Sequence, residues 1–235
     1  MIPRAEVEIV WDVDYPMLRK LSLEDLEYGF GTRQYASALV TEATWDDARR
    51  VLAREEDVLG RVASVARDES EFDRLAHEEE SEFFIDDPNE GFVPAPDLGM
   101  FAACVALCAA GCATSASCRG HPDKHAWSDH PVIQLVADPT RARIIEEIAR
   151  GASCGLVSAD GGGLILWAQS IAEVVTFTHM LLDRAAEFHG IALPVALREA
   201  RGLATEPPRR PTKRPSSRSA TTLFGSADCV SLCAW

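Results

Sequence analysis

The sequence predicts an α/β protein of the α+β kind, in which a mixed or antiparallel sheet carries packed helices and follows a mainly helical region. Two observations predict this class. Over residues 97–190 the hydrophobic patterns run in the order helix, strand, strand, helix, hairpin, helix. The run Asp160-Gly-Gly-Gly163 separates two short apolar segments, which is typical of a hairpin turn. A sheet and helices in this order bury their apolar faces against one another.

The first 93 residues are predicted to form a mainly helical acidic region. Residues 6–11 alternate between apolar and polar and predict a strand. A capping-box spacing at 44–47 begins a predicted helix over 45–66. Residues 68–90 hold eleven acids and one base. This stretch predicts a solvated helix followed by a loop, and the alternative is a docking surface for a basic protein partner.

Residues 94–203 are predicted to be the α/β core domain. Asp97 is placed to cap an apolar helix that ends at Gly111 and is buried on all sides. Strands are expected at 114–117 and 132–137. Two further helices are expected to begin after the cap residues Asp138 and Ser170, and the second is expected to end near residue 190.

Residues 204–235 predict a disordered basic tail with an apolar C-terminus, because their Pro- and Arg-rich start shows no apolar periodicity. Residues 207–235 carry a net charge of +4, which leaves −18 for the rest of a chain with −14 in total. This strongly acidic part of the chain repels phosphate backbones, and we expect it not to bind nucleic acid.

The composition also predicts a location. No uninterrupted apolar run reaches the roughly 18 residues of a membrane span, and the N-terminus lacks a basic-then-apolar signal pattern. We therefore expect no membrane association and a cytoplasmic protein. In that setting seven cysteines favour free thiols or metal ligands over disulfides.

The turn after the first core strand, residues 118–121, is the principal candidate site. Cys118, His121 and His125 could bind a metal such as zinc, since thiolates and imidazoles are its preferred ligands. The alternative is catalytic: Cys118 would act as a nucleophile whose pKa is lowered by Arg119 and His121. Three other residues are further metal candidates: Cys112, His130 and Cys154.

A ligand pocket is the third interpretation of the same turn. Ser115 and Ser117 offer hydroxyl groups, and Gly120 lets a ligand approach the backbone N–H groups. Arg119 could bind a carboxylate or phosphate through two parallel hydrogen bonds. This combination would suit an anionic small molecule. A purely structural turn is the remaining alternative.

The run Gly111-Cys-Ala-Thr-Ser-Ala-Ser-Cys-Arg-Gly-His121 resembles the Thr-Ser-Ser-Cys-Ser-Gly-Arg signature of the TYW3-like family of tRNA wybutosine-synthesis methyltransferases. The order of elements over about 97–185 is similar as well. The resemblance implies a compact α/β fold and an enzyme that methylates a guanine-derived base with S-adenosylmethionine. Within the signature, His121 stands in place of arginine and Arg119 in place of serine.

The sequence therefore predicts a small-ligand or catalytic site on this turn. The resemblance implies a methyltransferase-like enzyme acting on a nucleotide-derived substrate, and the candidate cofactors are S-adenosylmethionine and zinc. The alternative is a non-enzymatic interaction module, in which the acidic surface at 68–90 meets a basic protein and a Cys/His-bound metal stabilises the loop.

Overall fold

The computed structural model describes residues 1–28, 42–80, 84–87, 91–94, 96–122 and 127–202. Met1–Leu203 form one compact unit, so the predicted boundary between residues 93 and 94 falls inside it. The predicted disordered tail at 204–235 lies outside the described residues. Among the described helices, none combines the length and apolarity that a bilayer span requires.

The described strands and helices follow in chain order. The strands are β1 (Trp11–Asp12), β2 (Phe84–Asp87), β3 (Gly91–Pro94), β4 (Ala113–Cys118), β5 (Val132–Val136), β6 (Gly155–Ser158) and β7 (Leu164–Trp167). The α-helices are α1 (Leu23–Tyr28), α2 (Trp45–Val65), α3 (Glu69–Glu80), α4 (Phe101–Ala109), α5 (Pro139–Gly151), α6 (Ile171–Asp183), α7 (Ala185–His189) and α8 (Val195–Ala200). Short 3-10 turns occur at Tyr15–Met17 and Asp160–Gly162.

The main sheet is mixed, which confirms the predicted fold class. Its strand order is β1-β6-β7-β5-β4. The edge strand β1 pairs with β6 in parallel, and the other three pairs are antiparallel. The β6–β7 pair is the hairpin that the glycine run predicted, with Ser158 opposite Leu164.

Helix α4 occupies the centre of the fold. Residues 102–108 are all buried, as expected for a helix that is apolar on every side. Helices α2 and α6 pack against it and join it to one continuous hydrophobic core. Five cysteines in the described residues are buried free thiols: Cys104, Cys108, Cys112, Cys118 and Cys154.

The cap of α4 differs from the prediction. Asp97 makes no side-chain bond to the helix; instead the buried carboxylate of Glu55, on α2, accepts the backbone N–H groups of Gly99, Phe101 and Ala102 at 2.7, 3.1 and 2.8 Å. A side chain from another helix thus satisfies the first N–H groups of α4. The Asp97 carboxylate is consequently available to the turn after β4.

Three other sequence boundaries are corrected. The strand predicted at 6–11 pairs with a neighbouring strand only from Trp11. Before that point, the side chains of Trp167 and Gln169 donate hydrogen bonds to the carbonyls of Glu8 and Val7. The loop predicted after the acidic helix contains the antiparallel β2–β3 pair. The last predicted helix is interrupted at Arg184, so that α7 is separate from α6.

Candidate functional site

The turn after β4 depends on Gly120. Its φ is +82°, a left-handed conformation that L side chains rarely adopt. A Cβ at this position would lie 2.7 Å from the Cα of His130, a backbone atom that cannot rotate away. Glycine therefore lets the segment after Cys118 approach the segment before β5, and the His121 N–H donates to the Ser128 carbonyl at 3.1 Å.

Three side chains converge at this turn. One ligand-type atom from each of Asp97, Cys118 and His121 lies within 4.8 Å of the other two. His121 Nε2 and Asp97 Oδ2 are 3.3 Å apart. Cys118 is only 2% exposed, whereas the His121 side chain is 25% exposed. The sulfur thus lies inside the protein and the imidazole lies at the surface of the site.

Backbone N–H groups support two of these side chains. The Arg119 N–H donates to Asp97 Oδ2 at 3.0 Å, and the Gly120 N–H donates to Cys118 Sγ at 3.4 Å. The turn therefore holds the Asp97 carboxylate and the Cys118 sulfur beside the same imidazole.

The other side of the His121 ring faces helix α3. Its Nδ1 lies 2.8 Å from Asp73 Oδ1. Hydrogen bonds to Asp97, to Cys118 and to Asp73 raise the pKa of His121 to about 10, although burial and the Arg119 charge oppose this. Burial alone would raise the pKa of Asp73, but hydrogen bonds from Arg119 and His121 outweigh it and lower that pKa.

Arg119 connects the turn to the same helix. Its side chain is 2% exposed; Nη2 lies 2.6 Å from Asp73 Oδ1, and Nη1 bonds to Glu80. Burial lowers the pKa of Arg119, against the opposing effect of Asp73. Both Nη atoms thus bind carboxylates of the chain itself. The predicted anion site would instead need a guanidinium whose Nη atoms are free to bind the ligand. Its Nε has no hydrogen-bond partner among the described residues.

The remaining predicted site residues lie apart from this cluster. Ser115 is buried in β4, where its Oγ lies 3.4 Å from the Gln134 carbonyl, and Ser117 is half-buried on the same strand. His130 Nδ1 lies 2.7 Å from Asp129 Oδ1. Cys112 and Cys154 belong to the hydrophobic core. The predicted metal ligand His125 lies outside the described residues.

A cleft of about 800 Å³ opens beside His121, and we call it the turn cleft. Its lining combines the turn with the N-terminal segment and α3: Arg4, Ala5, Glu6, Glu69, His121, Pro122, Trp127, Ser128, Asp129 and His130. A second, water-sized cavity of about 20 Å³ reaches Arg119 and shares Glu69 and Asp129 with the cleft. The lining of the cleft is mainly polar, and Trp127 is 43% exposed beside it.

Sequence reasoning missed two carboxylates of this site. Asp97 was interpreted as a helix cap, and Asp73 was one of many acids in the run at 68–90. A signal for Asp73 did exist. It precedes Glu80 by seven residues, a spacing that places both carboxylates on one face of a helix. Both of them bind Arg119.

The acidic helix pairs much of its charge within the chain. Glu71 bonds to Arg67, Glu78 to Arg74 and Glu79 to Arg61, in addition to the two carboxylates at Arg119. These pairs reduce the unpaired negative charge that a basic partner would meet. Docking of a basic protein at 68–90 stays a prediction.

Comparisons with protein-family models, with curated proteins and with solved structures gave no match to this chain. The resemblance to the TYW3-like family therefore stays a prediction.

Proposed function

We propose that this chain binds a polar small molecule in the turn cleft. The observation that carries the proposal is the cleft of about 800 Å³ beside His121, because pockets of about 300–1,000 Å³ are typical of small-molecule sites. The N-terminal segment, α3 and the turn each contribute to it. A ligand there would contact the turn that the sequence singles out.

The charges around the cleft support a cationic ligand over an anionic one. Glu6, Glu69 and Asp129 line it. The cationic lining residues are offset by partners within the chain: Arg4 bonds to Glu173 and Gln169, and His121 contacts Asp73 and Asp97. An anion in the cleft would therefore be repelled by carboxylates, whereas a cation would be attracted to them.

Trp127 supports a ligand with a planar or positively charged group. An exposed indole binds flat rings by stacking and cations through its π-face. S-adenosylmethionine has both features, since it joins an adenine ring to a positively charged sulfonium. We therefore propose S-adenosylmethionine or a compound of the same chemistry as the ligand, and a methyltransferase-like reaction as the activity to be tested once binding is measured.

The test is a calorimetric titration with S-adenosylmethionine, accompanied by native mass spectrometry of freshly purified protein. Trp127→Ala should weaken binding by about 3- to 30-fold, the range expected for loss of one cation–π contact. Met17→Ala removes an exposed apolar side chain that does not line the cleft and should leave binding unchanged. S-adenosylhomocysteine, which lacks the sulfonium charge, should bind less tightly.

Two outcomes would overturn the proposal. The first is wild-type protein that shows neither a co-purified mass nor heat on titration with either compound. The second is a Trp127→Ala variant that binds S-adenosylmethionine as tightly as the wild type does.

A further inference from the structure

We infer that Asp97, Cys118 and His121 together bind one divalent transition-metal ion of the zinc class. The inference deepens the proposed function, on which it rests for the cleft that a ligand would use to reach the metal. Each residue supplies one ligand atom, and these atoms lie within 4.8 Å of one another. Carboxylate oxygen, thiolate sulfur and imidazole nitrogen are the three ligand types that zinc takes in proteins.

The separation between two of the ligand atoms matches a shared metal. With zinc bonds of about 2.0–2.2 Å to nitrogen and oxygen, a tetrahedral angle places the two atoms about 3.4 Å apart. His121 Nε2 and Asp97 Oδ2 are 3.3 Å apart. A bound ion would replace the proton between His121 Nε2 and Asp97, which leaves as the metal binds, and the two side chains would need little rearrangement.

Asp73 provides the support that a metal-binding histidine usually has. It lies 2.8 Å from Nδ1 of His121, on the opposite side of the ring from Nε2. A carboxylate at Nδ1 fixes the ring tautomer that leaves Nε2 to the metal and makes that nitrogen a better ligand. Arg119 holds the carboxylate in place, at 2.6 Å from the same oxygen of Asp73.

The sulfur ligand has a comparable support. The Gly120 N–H lies 3.4 Å from Cys118 Sγ and donates to it, which helps to fix the position of the sulfur; a bound metal would displace the thiol proton. Cys118 is only 2% exposed, so a substrate cannot reach its sulfur directly, and metal binding suits it better than nucleophilic attack. A soft thiolate also disfavours magnesium and calcium, which prefer oxygen ligands.

Three protein ligands leave a fourth tetrahedral position open, as in catalytic zinc sites. His121 lines the turn cleft, so a metal bound at its Nε2 would lie close to a site that a small molecule can enter. The metal would then contact the ligand in the cleft, in addition to stabilising the turn.

The test uses the full chain, first treated with a chelator and then titrated with cobalt(II). We expect one equivalent to bind, with a thiolate-to-cobalt charge-transfer band and the intense d–d absorption of a four-coordinate ion. Native mass spectrometry with zinc should show the same stoichiometry. Because no organic ligand is added, this result is independent of the binding test for S-adenosylmethionine, and either can fail alone.

Variants identify the ligands. Asp97→Asn, Cys118→Ser and His121→Gln should each weaken cobalt affinity by at least tenfold, and Cys118→Ser should also abolish the charge-transfer band. Cys112→Ala and His179→Gln are matched controls, since both residues lie outside the cluster. Circular dichroism checks that each variant is folded. A wild-type protein without a charge-transfer band, or a folded Cys118→Ser variant that keeps wild-type affinity, would overturn the inference.

Discussion

His121 and Asp73 are joined by a contact of 2.8 Å between Nδ1 and Oδ1, which connects the turn after β4 to helix α3. The two residues are 48 positions apart, and they lie on opposite sides of the boundary that composition predicts near residue 93. This contact makes the acidic helix part of the candidate site. A substitution of Asp73 can therefore distinguish a carboxylate that orients His121 from one that binds the metal directly.

Asp73→Asn should weaken cobalt or zinc binding by about 10- to 100-fold without abolishing it, which is the usual effect of losing a carboxylate behind a metal-bound histidine. The charge-transfer band should remain, because Cys118 still binds. Competition with a chelator of known affinity provides the measurement. Glu78→Gln changes an exposed acid of the same helix that pairs with Arg74, and it should bind metal like the wild type. Complete loss of binding would instead make Asp73 a ligand.

Arg119→Met should destabilise the folded protein by on the order of 3 kcal/mol, since it leaves Asp73 and Glu80 without the cation that offsets their burial. Arg74→Met removes an exposed pair on the same helix and should cost less than about 1 kcal/mol. Urea unfolding measures both. If Arg119 instead bound a ligand, its replacement would weaken ligand binding and leave the free energy of unfolding nearly unchanged.

Much of the fold could be predicted because local patterns determine it. The Asp138 cap, the Thr44 capping box and the glycine turn at 160–163 each bring together residues close in sequence. The N-terminal strand was predicted too long, because its alternation is real but the carbonyls of Val7 and Glu8 accept from side chains. At Glu8 the carbonyl accepts from the Trp167 indole in place of a neighbouring strand.

The candidate site was only half predictable, because sequence patterns indicate groups of residues that are close in sequence. Cys118 and His121 are close in sequence, so their residue types alone indicate a site. Asp97 and Asp73 reach it through tertiary packing, and their sequence neighbourhoods suggest a cap and a solvated helix instead. The role of Asp97 depends on Glu55, which lies 42 positions earlier in the chain. By capping α4, it leaves the Asp97 carboxylate to the turn.

Glu55 should produce a measurable pH dependence of stability. Burial raises its pKa to about 7, against the lowering effect of its three backbone N–H partners. Between its ordinary value of 4.5 and about 7, the folded state keeps a proton that the unfolded state releases, so stability falls as the pH rises. The loss is complete above about pH 7 and is on the order of 3 kcal/mol at most.

Urea unfolding at pH 5, 6, 7 and 8 measures this effect when wild-type protein is compared with Glu55→Gln, which cannot titrate. The variant loses one N–H acceptor and should be less stable at every pH. The difference between the two proteins should shrink as the pH rises from 5 to 7 and then stay constant. Two curves that remain parallel over this interval would contradict a raised pKa at Glu55.

Gly120 and Gly161 offer a paired test of how the turn is built. Both have left-handed backbones, with φ of +82° and +77°, so alanine at either position should cost about 1 kcal/mol for conformation. Their surroundings differ, because a Cβ at Gly161 has no atom within 4 Å and a Cβ at Gly120 meets the His130 backbone at 2.7 Å. Gly120→Ala should therefore cost about 1–3 kcal/mol more in urea unfolding.

The same pair tests whether the turn holds the metal ligands in place. Gly120→Ala must move the 118–121 segment away from His130, which displaces Cys118 and His121 relative to Asp97. It should thus weaken cobalt binding, whereas Gly161→Ala, in the β6–β7 turn, should not. Equal costs in the two variants would show that the close approach at His130 relaxes freely. Unchanged cobalt affinity in a destabilised Gly120→Ala protein would show that the three ligands adapt independently of the turn.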